Sequence, residues 1–494
     1  MADTNAVAGT TPAHALPEAQ APTQTPTPTP MQAGESPYAW ARLVASLLMM
    51  TIGGSGMYAV TVVLPRIQQE FGVARADASL PYSLTMIGFG VGGVLMGRLS
   101  DRFGVIAPVL LGTLGLSVGF VAAGMSGSLV QFALAQGLLI GALGTSATFA
   151  PLVADTALWF TRRRGIALGI CMSGNYVAGA VWPPIVQHFV ESAGWRATYI
   201  GIGVFCGLAM LPLALMLRRR PPGLAGAAAA PAASPRPLPL PLPLAGEGLG
   251  EGRQMGHDGQ SPALTPTLSQ GERGQDRTAL PQGEREQDRS ALSLSGDRPL
   301  GMSPGLLQAL LCVAGVACCV AMSMPQVHIV AYCGDLGFGA ARGAQMLAVM
   351  LGMGVVSRLV SGWISDHIGG LRTLLLGSLL QGVALLTFLV ADGVASLFIV
   401  AAMFGLFQGG IVPSYALIVR EYFTPAQAGA RVGMVLMATL LGMALGGWMS
   451  GAIFDLTGSY RAAFVNGIVW NLLNVSIVLA LLWRVRRLAP RRSN

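Results

Sequence analysis

At 494 residues, the chain is 53% hydrophobic and only 11% charged, less than half the charge share of about 25% usual in soluble proteins. That excludes an ordinary water-soluble globule. The net charge is +8 and the sequence contains no Lys, so every fixed side-chain cation is Arg; these cluster at the ends of apolar stretches, which favours a bilayer over nucleic acid as the partner.

The first residues, 1–36, are rich in Thr, Pro and Ala and lack a basic-then-apolar pattern. They read as a disordered N-terminal tail rather than a cleaved signal. Six apolar stretches long enough to cross a membrane follow, near 41–64, 78–97, 105–125, 129–158, 166–189 and 198–217; a span needs about 20 such residues. Together 37–217 make an N-terminal six-helix bundle. Residues 218–303 are rich in Pro, Gly, Arg and Glu, with a Pro-Leu repeat at 237–242. They cannot bury a core and read as a disordered cytoplasmic linker. The tract around 244–268 resembles translated intergenic repeats of GC-rich bacterial genomes, which implies an insertion without a transport role. Six further stretches, near 305–332, 343–364, 371–390, 395–419, 429–453 and 462–483, make a C-terminal bundle over 304–485, and 486–494 form a tail. The fold class is an all-α membrane protein with twelve transmembrane helices in two six-helix repeats.

Alternating the spans places most Arg on the side of the termini, including Arg162, Arg163, Arg218, Arg219, Arg484 and Arg486. Arg66, Arg75, Arg196, Arg342 and Arg461 fall on the other. That bias predicts a multi-pass protein of a bacterial inner membrane with both termini cytoplasmic. The six Cys (171, 206, 312, 318, 319 and 333) lie almost wholly in apolar stretches without paired spacing. They read as small buried residues, not as a metal or disulfide framework. No cofactor motif, nucleotide loop or His/Asp/Glu cluster appears, so neither an enzyme nor a cofactor is expected.

An internal repeat follows spans 2 and 8. Gly97-Arg98-Leu99-Ser100-Asp101-Arg102-Phe103-Gly104 and Gly362-Trp363-Ile364-Ser365-Asp366-His367-Ile368-Gly369 share a Gly-x-x-Ser-Asp-x-x-Gly frame. Parallel repeats of this kind build rocking transporters. Gly97 and Gly362 are expected to let a helix end approach its neighbour. Asp101 and Asp366 are expected to meet a helix N-terminus or an Arg, with Arg102 beside them, and to gate the conformational change.

The two frames resemble the signature of the major facilitator superfamily, which implies its fold and alternating access. A second stretch, Trp159-Phe160-Thr161-Arg162-Arg163-Arg164-Gly165-Ile166-Ala167-Leu168-Gly169, continues with Gly174, Gly179, Pro183-Pro184 and Gly194-Trp195-Arg196. It resembles the monocarboxylate porter and oxalate/formate antiporter branch, as does span 7 running into His328, Asp335 and Gly337. The resemblance implies transport of a small organic anion by a monomer in a lipid bilayer, with protons or a counter-anion as coupling partner and no nucleic acid.

An ionisable residue deep in a bilayer is costly and therefore a candidate for function. Arg358 lies eight residues before Asp366, roughly 12 Å along a helix. The matching place in the first half is Gly93, so the frame itself does not demand a cation. In the porter branch, an Arg four residues before the span 8 Gly binds the substrate carboxylate, and Arg358 matches it through Gly362. Other features depart from the family. The second cation of the oxalate antiporter falls on Thr439, its aromatic partners on Gly405 and Gly409, and the Asp of animal porters on Gly354. The span 1 Lys is missing. One deep cation suits a monocarboxylate rather than a dianion. His328 is a candidate for a coupling proton, or a neutral His at a helix end. Tyr58, Asn175, Tyr176, Gln326 and Gln408 are candidates to line the cavity, or packing residues. A multidrug or sugar porter of the same superfamily and a non-transporting membrane sensor are the competing readings.

Overall fold

The computed structural model describes residues 36–160, 163–219 and 299–488. The expected N-terminal tail and nearly all of the linker lie outside them, as do residues 489–494. Among the described residues, twelve helices are long and apolar enough to cross a membrane. In chain order they are α1 (Pro37–Phe71), α2 (Arg75–Phe103), α3 (Ile106–Gly124), α4 (Leu129–Trp159), α5 (Arg164–Ala193) and α6 (Trp195–Met216), then α7 (Pro304–Asp335), α8 (Ala340–Ile368), α9 (Gly370–Phe388), α10 (Val394–Tyr422), α11 (Pro425–Thr457) and α12 (Tyr460–Leu488). Large apolar side chains such as Leu114, Leu138, Leu208, Ile399 and Val469 stand exposed on the outward faces, the arrangement of a bundle whose solvent is lipid.

Local chemistry sets the helix ends. Ser36 and Ser303 accept from the backbone N–H three residues on, each at 3.3 Å, and a Pro follows each in the first turn; both devices satisfy donors that a helix start leaves orphaned. The repeat frames turn out to be helical rather than loops. α2 runs to Phe103 and α8 to Ile368, several residues beyond the apolar stretches, because the frame's polar residues form the last turns. Each frame's final Gly ends its helix, Gly104 at φ +80° and Gly369 at φ +83°, a region open to Gly at little cost. α12 likewise continues past residue 485 to Leu488.

Successive helices alternate direction across short connections. One end of the bundle, here the near end, therefore carries the first residues of α1 and the last of α12; the opposite end is the far end. Within each half, glycines bring backbones together. A Cβ at Gly88 or Gly92 of α2 would collide with the carbonyls of Gly137 or Ala142 on α4, and one at Gly405 of α10 with the Met350 carbonyl on α8. Close approach of this kind is how helices associate where lipid removes the hydrophobic drive. In the C-terminal half, a buried polar network adds to it. Tyr415 Oη donates to Asn474 Oδ1 at 2.9 Å, Asn474 Nδ2 to Ser378 Oγ at 2.8 Å, and Asn471 Nδ2 to Gln381 Oε1 at 3.3 Å.

Three helices are interrupted near mid-length. α1 breaks at Gly54, α10 breaks at Gly409–Gly410, and α4 carries a π-helical stretch at Ala135–Thr145 before its last segment restarts at Ala150. Discontinuous helices and π segments tend to sit where a transporter binds its cargo.

Candidate functional site

The breaks in α1 and α10 border one place. On α5, Met172, Asn175, Tyr176 and Gly179 recur at helical spacing and so share a face. Gly54 of α1 is packed against Ala178 and lies near Asn175, and Tyr58 of α1 lies against Gly179. Facing them from the other half, Arg358 of α8 reaches across, donating from Nη1 to the Met172 carbonyl at 3.1 Å. Its Nε points to the Gly409 carbonyl at the α10 break, at 3.5 Å. Its guanidinium lies 4.6 Å over the Tyr176 ring, a favourable cation–π placement.

This geometry accounts for two departures from the porter pattern. A Cβ at Gly354 would fall on the Tyr176 ring, so the place of the animal porters' Asp is filled by that aromatic. At Gly405 and Gly409 the space an aromatic would need is occupied by the α8 backbone at Met350 and Gly354. Thr439 is buried, donates to the Leu436 carbonyl of its own helix at 2.7 Å and meets the Cys319 side chain of α7.

Arg358 is half-buried and, among the described residues, has no carboxylate partner; it meets two carbonyls and the Tyr176 side chain. Tyr58 and Tyr176 are buried beside it. Gln408, next to Gly409, is fully buried, and its Oε1 accepts from Gln326 at 2.9 Å. Its Nε2, and the Oδ1 of Asn175 across the site, are buried without a hydrogen-bond partner. Such orphaned atoms are rare in folded proteins and call for an explanation.

His328 is elsewhere, in a closure at the far end. There Arg75, the first residue of α2, crosses between the halves. Its guanidinium binds the Asp335 carboxylate at the end of α7, donates to Tyr460 Oη of α12 at 2.8 Å and to Gln68 Oε1 at 2.9 Å, and lies 4.3 Å over the Phe454 ring. Asp455 of α11 caps the start of α2, accepting from the N–H groups of Arg75 and Ala76 at 2.9 and 2.8 Å. An acidic group at a helix N-terminus meets the positive end of the dipole. Beside this closure, Glu70 pairs with Arg196 at 2.5 Å and accepts from Trp195 Nε1. The Gly-Trp-Arg element is therefore a brace within the N-terminal half.

The near end is open. A Cβ at Gly93 or Gly97 of α2, at Gly429 or Gly433 of α11, at Gly165 of α5 or at Gly362 of α8 would meet nothing within 4 Å. The expected close approach at Gly97 and Gly362 is thus absent in this conformation: the helix ends that would supply the contact are splayed. Asp101 and Asp366 are exposed and pair with none of the described residues, while Arg102 lies 5.1 Å over Phe103.

Sequence reasoning missed a second buried cation. Arg42 of α1 is 2% exposed and bonds both carboxylate oxygens of Asp155 on α4, at 2.7 and 2.8 Å, with Asp155 itself 5% exposed. The Arg42 guanidinium also lies 4.8 Å from the Trp159 ring. The signal available was an Arg and an Asp each set inside an apolar stretch.

A model of the Major Facilitator Superfamily matches residues 45–396 and 310–494. Among curated proteins, monocarboxylate transporter 13 of Rattus norvegicus is 25% identical over 398 residues, covering 78% of this chain and 75% of that one. Monocarboxylate transporter 11 of Homo sapiens is 25% identical over 461 residues, covering 90% and 83%. Among solved structures, a bacterial homologue of the human lysosomal transporter Spinster, in an inward-facing and unoccupied conformation, superposes with a TM-score of 0.57 at 15% identity, covering 92% of this chain and 96% of that one.

Proposed function

The chain belongs to the major facilitator superfamily, and from that premise we propose that this membrane-embedded transporter carries a small organic monocarboxylate by alternating access, as a proton symporter or an anion exchanger. The observation that carries this reading is Arg358, a cation held between the halves against neutral carbonyls and an aromatic face. A charge withdrawn from water needs a counter-charge, and an anionic cargo supplies it. The monocarboxylate names of the relatives point the same way. Asn175, Tyr58, Tyr176 and Gln408 complete the cargo's polar surroundings. The positive bias at the near end supports cytoplasmic termini, which would make the present conformation inward-open.

Uptake of radiolabelled small carboxylates into proteoliposomes tests this. The expected result is saturable flux of a monocarboxylate that exceeds flux of dicarboxylates, neutral sugars and cationic drugs. Flux of sugars or cationic drugs alone would move the protein to another transporter class, and binding without any flux would make it a sensor.

The frame carboxylates act on the conformational balance. α2 packs along α11 and α8 along α5, and among the described residues no side chain caps the backbone N–H groups at the near-end starts of α11 and α5. Closing the near end would bring Asp101 and Asp366 toward those positive helix ends. Asp101→Asn and Asp366→Asn are therefore expected to keep the near end open, raising thiol labelling of a cysteine placed in the cavity. Unchanged labelling with weakened cargo binding would assign the carboxylates a different role.

A further inference from the structure

The far-end closure contains a hydrogen-bond relay whose direction the atoms determine. The Gly447 carbonyl can only accept, so the contact at 2.8 Å requires the proton on His328 Nε2. In the neutral ring Nδ1 is then an unprotonated acceptor, to which the Tyr460 hydroxyl at 3.2 Å donates. Tyr460 Oη in turn accepts from Arg75 Nη1 at 2.8 Å. The relay runs from Arg75 on α2, through Tyr460 on α12 and His328 on α7, to Gly447 on α11. It links the N-terminal half to three helices of the C-terminal half, and in this direction it needs a neutral imidazole. His328 is fully buried there.

We propose that His328 is a proton-sensitive latch on the far-end closure: the neutral ring holds Tyr460 and Arg75 in place, and a proton taken up at Nδ1 from the far-side solution when the closure parts keeps it from re-forming. The imidazolium would be a donor at both nitrogens. Tyr460 would lose the acceptor for its O–H and face two donors with one oxygen. A second cation would also stand one hydroxyl away from the Arg75 guanidinium in a buried site, where like charges repel more strongly than in water. Other charged groups do not offset this. On α7 itself, Asp335 already binds Arg75; on α11, Asp455 is occupied by the two N–H groups at the start of α2. On α1, Gln68 is neutral and Glu70 is turned to Arg196 and Trp195. On α12, Arg461 faces Asp392 at 3.7 Å, with both exposed, and on α8 Arg342 turns to Gln345. The proton binds when the far end opens to solution and must leave before it recloses, so the latch makes far-end opening a proton-linked step. This inference rests on the alternating-access reading but is independent of which cargo is carried.

The test is a distance measurement between spin labels at Ala74→Cys on the N-terminal half and Leu336→Cys on the C-terminal half, in full-length protein whose native cysteines are replaced, without cargo. Lowering the medium from about pH 8 to about pH 5.5, across the ordinary His range, should raise the far-end-open population on the order of tenfold. His328→Gln keeps a donor for Gly447 and an acceptor for Tyr460 but cannot titrate, so its distance distribution should not respond to pH. Tyr460→Phe leaves His328 and its Gly447 contact but cuts the link to Arg75, and should also abolish the response. A wild type without pH response, or a response that persists in either variant, overturns the latch. Because no cargo is present, the result is independent of whether Arg358 binds a carboxylate.

Discussion

Arg358→Gln is expected to abolish useful carboxylate binding while leaving the protein folded. Gln keeps polarity but supplies neither the charge nor the fork that can hold both oxygens of a carboxylate. Truncating one partner of a buried charged pair typically costs about 2–5 kcal/mol, which weakens binding by roughly 30-fold to several thousand-fold. Folding should survive because Arg358 meets two carbonyls, at 3.1 and 3.5 Å, and the Tyr176 side chain, and is not part of an ion pair among the described residues. Arg358→Lys should fall between the two, retaining charge without the planar fork. Ligand-induced thermal shift of purified wild type and both variants measures the effect, since a ligand bound to the folded state raises apparent stability. Equal affinity in wild type and Arg358→Gln would remove the main support for a carboxylate cargo.

Asp155→Asn is expected to have the largest effect on stability. It removes the counter-charge of Arg42, 2% exposed, and one of its two acceptor oxygens, leaving among the described residues only neutral partners: the Asn oxygen, the Tyr38 hydroxyl at 3.4 Å, the Arg219 carbonyl at 3.1 Å and the Trp159 face. Breaking a buried pair from one side typically costs about 3–5 kcal/mol, whereas replacing both members with apolar residues of similar volume is often neutral or better. The double variant Arg42→Met/Asp155→Leu should therefore recover most of the loss. Thermal unfolding of detergent-solubilised protein, followed by monodispersity, measures all three forms. A single variant as stable as wild type would show that the pair is not a structural clamp.

What was readable in the sequence depended on whether a residue carried its own control. The twelve spans were legible because a bilayer demands long apolar helices. Arg358 was legible because the internal repeat puts Gly93 in the matching place, separating the demands of the frame from those of function. Arg75 had no such control: it was counted with the far-side Arg residues, and only the folded chain brings it to Asp335, 260 residues away. Arg42 and Asp155, 113 residues apart, were hidden in the same way, since apolar averaging over a span dilutes one charge and pairing depends on tertiary contact. The misjudged contact at Gly97 and Gly362 has a different cause. A sequence encodes both ends of an alternating cycle, and the pattern does not say which end a given conformation closes. Gly354 and Gly405 looked like losses from the porter pattern, but they are the space that the Tyr176 ring and the α8 backbone occupy.

The arrangement of α2 has a mechanical consequence. Its first residue is pinned to the opposite half through Arg75, and toward the other end of its 29 residues a Cβ at Gly93 or Gly97 would meet nothing within 4 Å. At 1.5 Å per residue the helix is a lever roughly 43 Å long with its fulcrum at one tip. A rigid-body rotation of roughly 10–15°, the scale of known domain rockings, would carry the free tip through roughly 8–11 Å, wide enough to admit a small carboxylate. Near the fulcrum, the same rotation displaces atoms by a fraction of an ångström per residue. The guanidinium contacts can therefore persist through most of the stroke and fail only when the pivot itself passes to the other end.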